Sequence, residues 1–256
     1  MKQVIMVIRL AQNDFKAKYS ASMIGMVWAF VQPLATVLVF WYVFQAGFKT
    51  PPVNHMPYIL WFVTGYIPWI YFSDLLSSGA NVLSDYSFLV KKVKFRVEYL
   101  PFVRVVSSLF VHVFFLFFLL FLSGCYRFSL TSGCIQILYY SFAVTVFGWG
   151  CMMFFSAVSC FFKDIAQIVP VILQVGFWAT PVFWNPDTTV DLTVRRILSL
   201  NPLYYIVDGY RGSFLYQDYF WNHPLRTAYF WIVTLIVCWL GSMTFWKLRP
   251  HFADEL

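Results

Sequence analysis

The sequence predicts an all-α integral membrane protein: six transmembrane helices per protomer, an N-terminal amphipathic helix on the membrane interface, a charged helix after the second span and short re-entrant helices before the sixth. Three observations carry this. The 256 residues are 61% hydrophobic and only 11% charged, against about 25% charged in an average soluble domain. Six windows reach the roughly 20 apolar residues that a 30 Å hydrocarbon core requires. The Lys and Arg residues collect between those windows rather than along one long polar face, which argues for membrane orientation and against nucleic-acid binding despite the net charge of +7.

Residues 1–22 place Val4, Ile8, Ala11 and Phe15 at helical spacing, with Arg9, Asn13 and Lys16 on the other side. This reads as a helix lying on the membrane surface. At KYSASMIGMVWAFVQP, residues 18–33, the surface helix ends, Gly25 supplies a turn of about 90° that other residues resist, and Trp28 sits at the interface. Gln32 and Pro33 then lie inside the first span, 28–48, as a polar contact and a gap in the hydrogen-bond ladder.

The second span, 58–79, is flawed only by Asp74. Residues 83–98 are too charged to cross, yet Phe88, Leu89, Val90 and Val93 make them too apolar for an idle loop, so a short docking helix is expected. The third span, 100–122, carries Arg104 and His112. Arg104 and Asp74 fall near span ends on the same predicted side, where an ion pair or a snorkelling contact accounts for them, and His112 is read mainly as helix packing. The fourth span, 134–162, is long enough to tilt. The fifth, 165–184, and the sixth, 227–246, are free of charge, and between them LSLNPLYYIVDGYRGSFLYQ is apolar but broken by Pro202, Gly209 and Gly212. Irregular backbone at membrane depth survives only where protein or a water-filled cavity shields it, so short helices dipping into the outer leaflet are expected over 185–226.

Orientation follows from the short loops. Lys2, Arg9, Lys16 and Lys18, then Lys91, Lys92, Lys94 and Arg96, place the N-terminus and the 83–98 segment in the cytoplasm. Lys163, Lys247 and Arg249 agree, and six spans return the C-terminus to the same side. No cleavable leader opens the chain, so the first span is expected to act as its own insertion signal. Of the five cysteines, Cys125 and Cys134 flank one loop, and a disulfide between them requires that loop to face an oxidising compartment.

The chemistry that is missing narrows the function. There is no GxxxxGK[ST] to cradle ATP phosphates and no HExxH, and the four histidines are scattered, so no metal site and no cofactor are expected on this chain. The charge-free spans hold no acidic relay for a proton-driven carrier, so energy has to come from a separate partner. A membrane enzyme acting on polyprenyl-linked sugars is a second reading, but it needs acidic or histidine groups gathered at one membrane face. Aromatics make up 22% of the chain, beyond what interface anchoring needs. Phe30, Trp41, Phe44 and Phe48 recur on one side of the first span, and Phe177, Trp178, Phe183 and Trp184 crowd the end of the fifth. Aromatic faces stack on the apolar face of a pyranose and release it easily, which suits a channel along which a sugar polymer slides.

Several motifs, in order, resemble the permease subunits of type-2 ABC transporters that export bacterial O-antigen and capsule, with teichoic acid exporters as near relatives. These are Asp14, Lys16, Tyr19, Ser22, Ile24, Gly25, Trp28 and Pro33; then Gly65, Pro68 and Trp69; Asn81 and the stretch 91–101; Lys163, Asp164 and Gln167; and NPLYYIVDGYR. Ile24 and Lys163 stand where the family has leucine and arginine, and FRVE at 95–98 lacks the family's proline. The resemblance implies a homodimer in the bacterial inner membrane, each protomer docked on a cytoplasmic ATP-binding subunit that carries ATP and Mg, exporting a polymer linked to polyprenyl diphosphate. A teichoic acid or another lipid-linked substrate on the same scaffold is the alternative. It further implies that Ser87, Phe88, Leu89, Lys91, Lys92 and Glu98 couple to the ATPase, and that the aromatic sets line the channel. Arg9, Lys16 and Lys18 would meet the lipid diphosphate on entry, with Arg211 a further candidate, and Ile24, Gly25, Trp28, Gln32 and Pro33 would form the gate hinge.

Overall fold

The computed structural model describes residues 2–19, 23–54, 56–91 and 96–256, with side chains from Ile5 onward. Helix α1, Lys2–Lys18, packs along the third long helix. Its buried stripe runs through Ala11 and Asp14, while Ile5 and Ile8 stay exposed, so the inward face is rotated from the one that apolar spacing alone indicates. A buried charge, described below, sets that rotation. After a 3-10 turn over Gly25–Val27, α2 runs Trp28–Phe40 and continues as a π-helix over Trp41–Gly47.

Helix α3, Tyr58–Ala80, is the central element and is buried along most of its length. Two single-turn helices follow, α4 (Val82–Asp85) and α5 (Ser87–Val90). The expected continuous helix over 83–98 is therefore not formed: Tyr86, at φ −110° and ψ 27°, interrupts it, and residues 92–95 lie outside the described residues. Helix α6 spans Tyr99–Cys125, α7 Gln136–Phe161 and α8 Ile165–Ala179. The far segment folds as α9 (Pro186–Thr189), α10 (Leu192–Leu198) and α11 (Pro202–Arg211). Helix α12, Pro224–Leu248, and the single turn α13, Phe252–Glu255, close the chain.

Among the described residues, five apolar helices are long enough to cross a bilayer: Gly25–Gly47, Tyr58–Ala80, Tyr99–Cys125, Ser132–Phe161 and Pro224–Glu255. The fifth expected span, 165–184, does not reach that length. Helix α8 has 15 residues, about 22 Å at 1.5 Å per residue, because Thr180 adopts φ −98° and ψ 130° ahead of Pro181, whose ring disfavours a helical residue before it. The bundle is α-helical among the described residues, with one isolated bridge between Val53 and Met56.

Two apolar cores hold it. The larger surrounds α3 and takes side chains from α2, α6, α7, α8, α11 and α12. The smaller, at the α1 end, joins Val82, Leu83, Val90 and Leu100 to Met153, Phe245 and Phe252, so the C-terminal turn is docked on the 82–90 segment. Helices α7 and α12 cross closely where a Cβ on Gly241 would meet the backbone oxygen of Gly150, an approach that small residues permit in membrane helix pairs. All five cysteines are free, Cys125 and Cys134 included.

A polar cleft at the α1 end and a capped far end

Two places in the bundle concentrate polar groups. The first begins with Asp14, which is 4% exposed and pairs with Arg104 of α6 at 3.1 Å. Arg104 also holds Asp85 of α4, and the Tyr86 hydroxyl donates to Asp14 at 2.6 Å. One guanidinium thus ties α1, α4 and α6 together, and a charge removed from water is stable only with such partners. Arg104 and Asp74 do not pair with each other. Asp74 of α3 instead holds Lys18, the last residue of α1, and accepts a hydrogen bond from Ser108 of α6 at 2.6 Å.

Asp74 faces a cleft of about 570 Å³ bounded by α2, α3, α6 and the end of α1. Its polar wall comes from Ser73, Asp74, Ser77 and Ser78, which share one face of α3, and from Ser108 and His112, one turn apart on α6. Trp28, Tyr66, Trp69 and Tyr71 contribute aromatic faces, and Gln32, Pro33 and Thr36 line it from α2. Deeper in, Tyr71 stacks on His112 with ring centroids 4.3 Å apart. The His112 Nε2 is 3.0 Å from Ser141 Oγ and 3.2 Å from the Tyr210 hydroxyl, so hydrogen bonds connect the cleft floor to α7 and α11. His112 is accordingly a packing residue inside a polar network.

The second place is the far end, where α11 begins at Asn201. Its side chain accepts from the Leu203 amide at 3.0 Å and donates to Thr180 at 2.9 Å, and Pro202 occupies the first helical position. The Asn-Pro pair is therefore a cap and a helix start. Ten residues on, Arg211 is 4% exposed and donates to three backbone carbonyls: Trp61 at 3.2 Å, Pro181 at 2.6 Å and Val182 at 2.5 Å. Its guanidinium lies 3.4 Å from the centroid of the Trp61 ring. Arg211 is thus not placed to meet a lipid diphosphate. It staples α11 and the extended 180–182 segment onto α3, and Gly65 is required beneath it, since a Cβ there would lie 2.5 Å from Arg211 Nη2.

The expected aromatic lining is divided. Phe30 packs on Phe114 of α6 at 4.3 Å between centroids, and Phe44 stacks on Tyr58 at 5.2 Å. Phe177 and Phe183 face each other at 5.2 Å in the same cluster, and Phe183 is 8% exposed. Trp41, Phe48 and Trp178 are 39%, 74% and 63% exposed, and Trp184 is partly covered, donating to the Trp178 carbonyl at 3.1 Å. The row expected along the first span breaks because the π-helix after Phe40 has more residues per turn than an α-helix. Phe44 is thereby turned inward, while Trp41 and Phe48 stay out.

Of the hinge residues, Gly25 has φ +58°, a left-handed conformation natural to glycine, with open space where a Cβ would be. Ile24 and Trp28 are exposed, and Gln32 and Pro33 reach the cleft. Helix α2 continues through Pro33, and Thr36 Oγ1 donates to the Gln32 carbonyl at 3.3 Å. Arg9 and Lys16 are exposed on α1, away from the cleft that Lys18 reaches. Near α5, Phe88 is exposed, Ser87 and Leu89 are half-buried, Lys91 is exposed, and Glu98 pairs with Arg249 at 3.3 Å. Lys92 lies outside the described residues.

Periodicity carried a signal for the cleft that aromatic counting missed. Ser73, Asp74, Ser77 and Ser78 recur at helical spacing, as do Ser108 and His112.

The sequence matches the ABC-2 type transporter family over residues 7–215. It is 28% identical over 252 residues to the O-antigen export system permease protein RfbA of Myxococcus xanthus, covering 98% of this chain and 95% of that protein. Two O-antigen export system permease proteins RfbA of Klebsiella pneumoniae are each 24% identical over 264 positions, with the same coverage. Apolar helices surrounding one polar cleft fit a transporter component rather than an enzyme, and by the extent of that match the chain belongs to the ABC-2 type transporter family.

Proposed function

We propose that this chain is the channel-forming permease subunit of an ATP-driven exporter that moves polyprenyl-diphosphate-linked surface polysaccharide, O-antigen or capsule, across the bacterial inner membrane. The observation that carries the reading is a cleft among apolar helices that gathers hydroxyls, one carboxylate, one ammonium and aromatic rings, in a chain whose relatives are O-antigen export permeases along nearly their whole length. Such a surface meets sugar hydroxyls, pyranose faces and phosphate in one place.

The rest of the arrangement follows from charge and from missing chemistry. The α1 end is cytoplasmic by the distribution of Lys and Arg. The chain has no P-loop, so ATP and Mg belong to a separate ATP-binding subunit that meets the 82–98 segment through Phe88 and its neighbours. Two copies assemble through the uncovered faces of α2 with its π-helical continuation and of α8, which present Leu38, Tyr42, Val171, Val175 and Trp178. Trp41, Phe48 and Trp178 are the exposed aromatics of the two expected sets, and they line the path between the copies.

The test is reconstitution of the permease with its ATP-binding subunit in vesicles loaded with lipid-linked polysaccharide. The expected result is ATP-dependent appearance of polymer on the opposite face, with no ATP hydrolysis by the permease alone. Robust hydrolysis by the isolated chain, or polymer movement without it, overturns the reading.

A further inference from the structure

We propose that the cleft between α2, α3 and α6 is a binding site for the sugar-phosphate head of an anionic glycolipid, with Asp74 the residue that distinguishes a sugar-bearing head from a bare one. This rests on the lipid-linked substrate proposed above and gives it a location within one protomer.

The volume of about 570 Å³ falls within the range of sites for small organic ligands. Two buried polar atoms of its lining residues have no hydrogen-bond partner: Ser73 Oγ and His112 Nδ1. Buried polar atoms are almost always satisfied, and a rotation of the Ser73 side chain toward the cleft would bring its hydroxyl to a bound ligand. A second groove of about 450 Å³ runs beside it along α2, and the two share Trp28, Gln32 and Thr36 in their linings. That groove is otherwise lined by Val31, Ala35 and Val39. A polar chamber beside an apolar groove suits an amphiphile: head in the chamber, hydrocarbon along α2.

The ion pair explains selectivity. Lys18 is the cation at the chamber, and Asp74 already holds it. An incoming phosphate attracts the ammonium but must separate it from Asp74, leaving a carboxylate without its counter-ion. A bare phosphate offers Asp74 nothing in return. A sugar phosphate offers hydroxyl donors to a carboxylate with lone pairs to spare, while Tyr66 and Trp69 present faces for the pyranose ring. Replacing the ion pair by hydrogen bonds is therefore favourable only when phosphate and sugar arrive together.

The experiment uses the permease with its ATP-binding subunit in nanodiscs and two probes, farnesyl-diphospho-N-acetylglucosamine and farnesyl diphosphate, with affinities read by thermophoresis. The wild-type protein is expected to prefer the sugar-bearing probe by about 10-fold, the worth of one hydrogen bond to a charged group. In Asp74→Asn the preference is expected to fall to about 2-fold or less on the same scale, while Lys18→Gln weakens both probes together. Because Ser73 Oγ supports nothing else in the fold, Ser73→Ala should melt as the wild type and lose affinity for the sugar-bearing probe alone. Phosphatidylglycerol added to the nanodiscs separates an ordinary phospholipid headgroup from a glycolipid: it should not displace the sugar-bearing probe. Preference kept in both Asp74→Asn and Ser73→Ala, or displacement by phosphatidylglycerol, overturns the inference. If the complex still exports polymer in that case, the proposed function stands without this site. If export does not depend on the permease, the function itself has failed.

Discussion

The Arg211 staple makes the sharpest structural prediction. Replacing Arg211 with Met leaves the carbonyls of Trp61, Pro181 and Val182 without their donors and removes the cation from the Trp61 face. Each hydrogen bond to a charged group is worth about 1.5–3 kcal/mol net, and a desolvated cation over tryptophan about 2 kcal/mol. Against these stands the cost of keeping a guanidinium out of water, several kcal/mol that the Met variant recovers. Three carbonyls left without donors cost about 1–3 kcal/mol each, so after that recovery the balance is a loss of about 3–5 kcal/mol. At about 2–4 °C per kcal/mol for a chain of this size, the midpoint should fall by roughly 6–20 °C. Gly65→Ala pushes a methyl group into the same guanidinium, whose Nη2 would lie 2.5 Å from the new Cβ. The two substitutions therefore attack one contact and cannot add: Gly65→Ala should destabilise the wild-type protein and cost little in the Arg211→Met background, a coupling of about 1–3 kcal/mol. Thermal unfolding of the four proteins in detergent, followed by fluorescence-detected size exclusion, measures the cycle. Additive losses, or an Arg211→Met midpoint within two degrees or so of wild type on that scale, would refute the reasoning.

Three further outcomes are expected. Arg104→Leu strands buried Asp14 and should lower stability by about 3–5 kcal/mol, releasing α1 to proteolysis; a protease-resistant α1 in that variant contradicts the anchoring role. Trp41→Ala and Trp178→Ala should reduce polymer export with little change in melting, whereas Phe183→Ala, in the core, should cost about 3–5 kcal/mol; export assays paired with melting curves separate the two classes. Outside the spans, burial raises the Asp218 carboxyl, but hydrogen bonds from Asn222 and His223 outweigh it and hold the group below its ordinary value of 3.8. Its support of the 217–223 turn is thus present above that value and lost as the pH falls below it through the folded pKa. The protection of that turn against hydrogen exchange, relative to the intrinsic rate at each pH, should fall in acid in the wild-type protein, and equal pH profiles of protection in wild type and Asp218→Asn would exclude this.

How much of this was legible beforehand differs by element. Long apolar runs must satisfy their backbone within the bilayer, so α3, α6, α7 and α12 begin and end within a few residues of the windows read from composition. The turn at Gly25 was equally local, because backbone angle is settled by a residue and its near neighbours, whereas Pro202 and Gly209, read as breaks, lie at the start of α11 and within it. The shortening of α8 was written in Thr180-Pro181, but the apolar run beyond it concealed the stop.

Partner choice was not local. Asp74 and Arg104 sit at similar depth, yet one holds Lys18 and the other Asp14 and Asp85, and only the docking of α1 decides that. Arg211 looks in sequence like a cation awaiting an anion. In three dimensions it is consumed by carbonyls that the extended 180–182 segment exposes and α11 covers. The aromatic row of the first span depended on an α-helical pitch that the π-helix at Trp41–Gly47 does not keep. Sequence alone determined the membrane class, the helices and the placing of charge, because each follows from transfer of short segments into lipid. The cleft, its paired ions and the stapled far end were decided only by tertiary structure, because a polar side chain in a bundle takes its role from whichever distant segment packs against it.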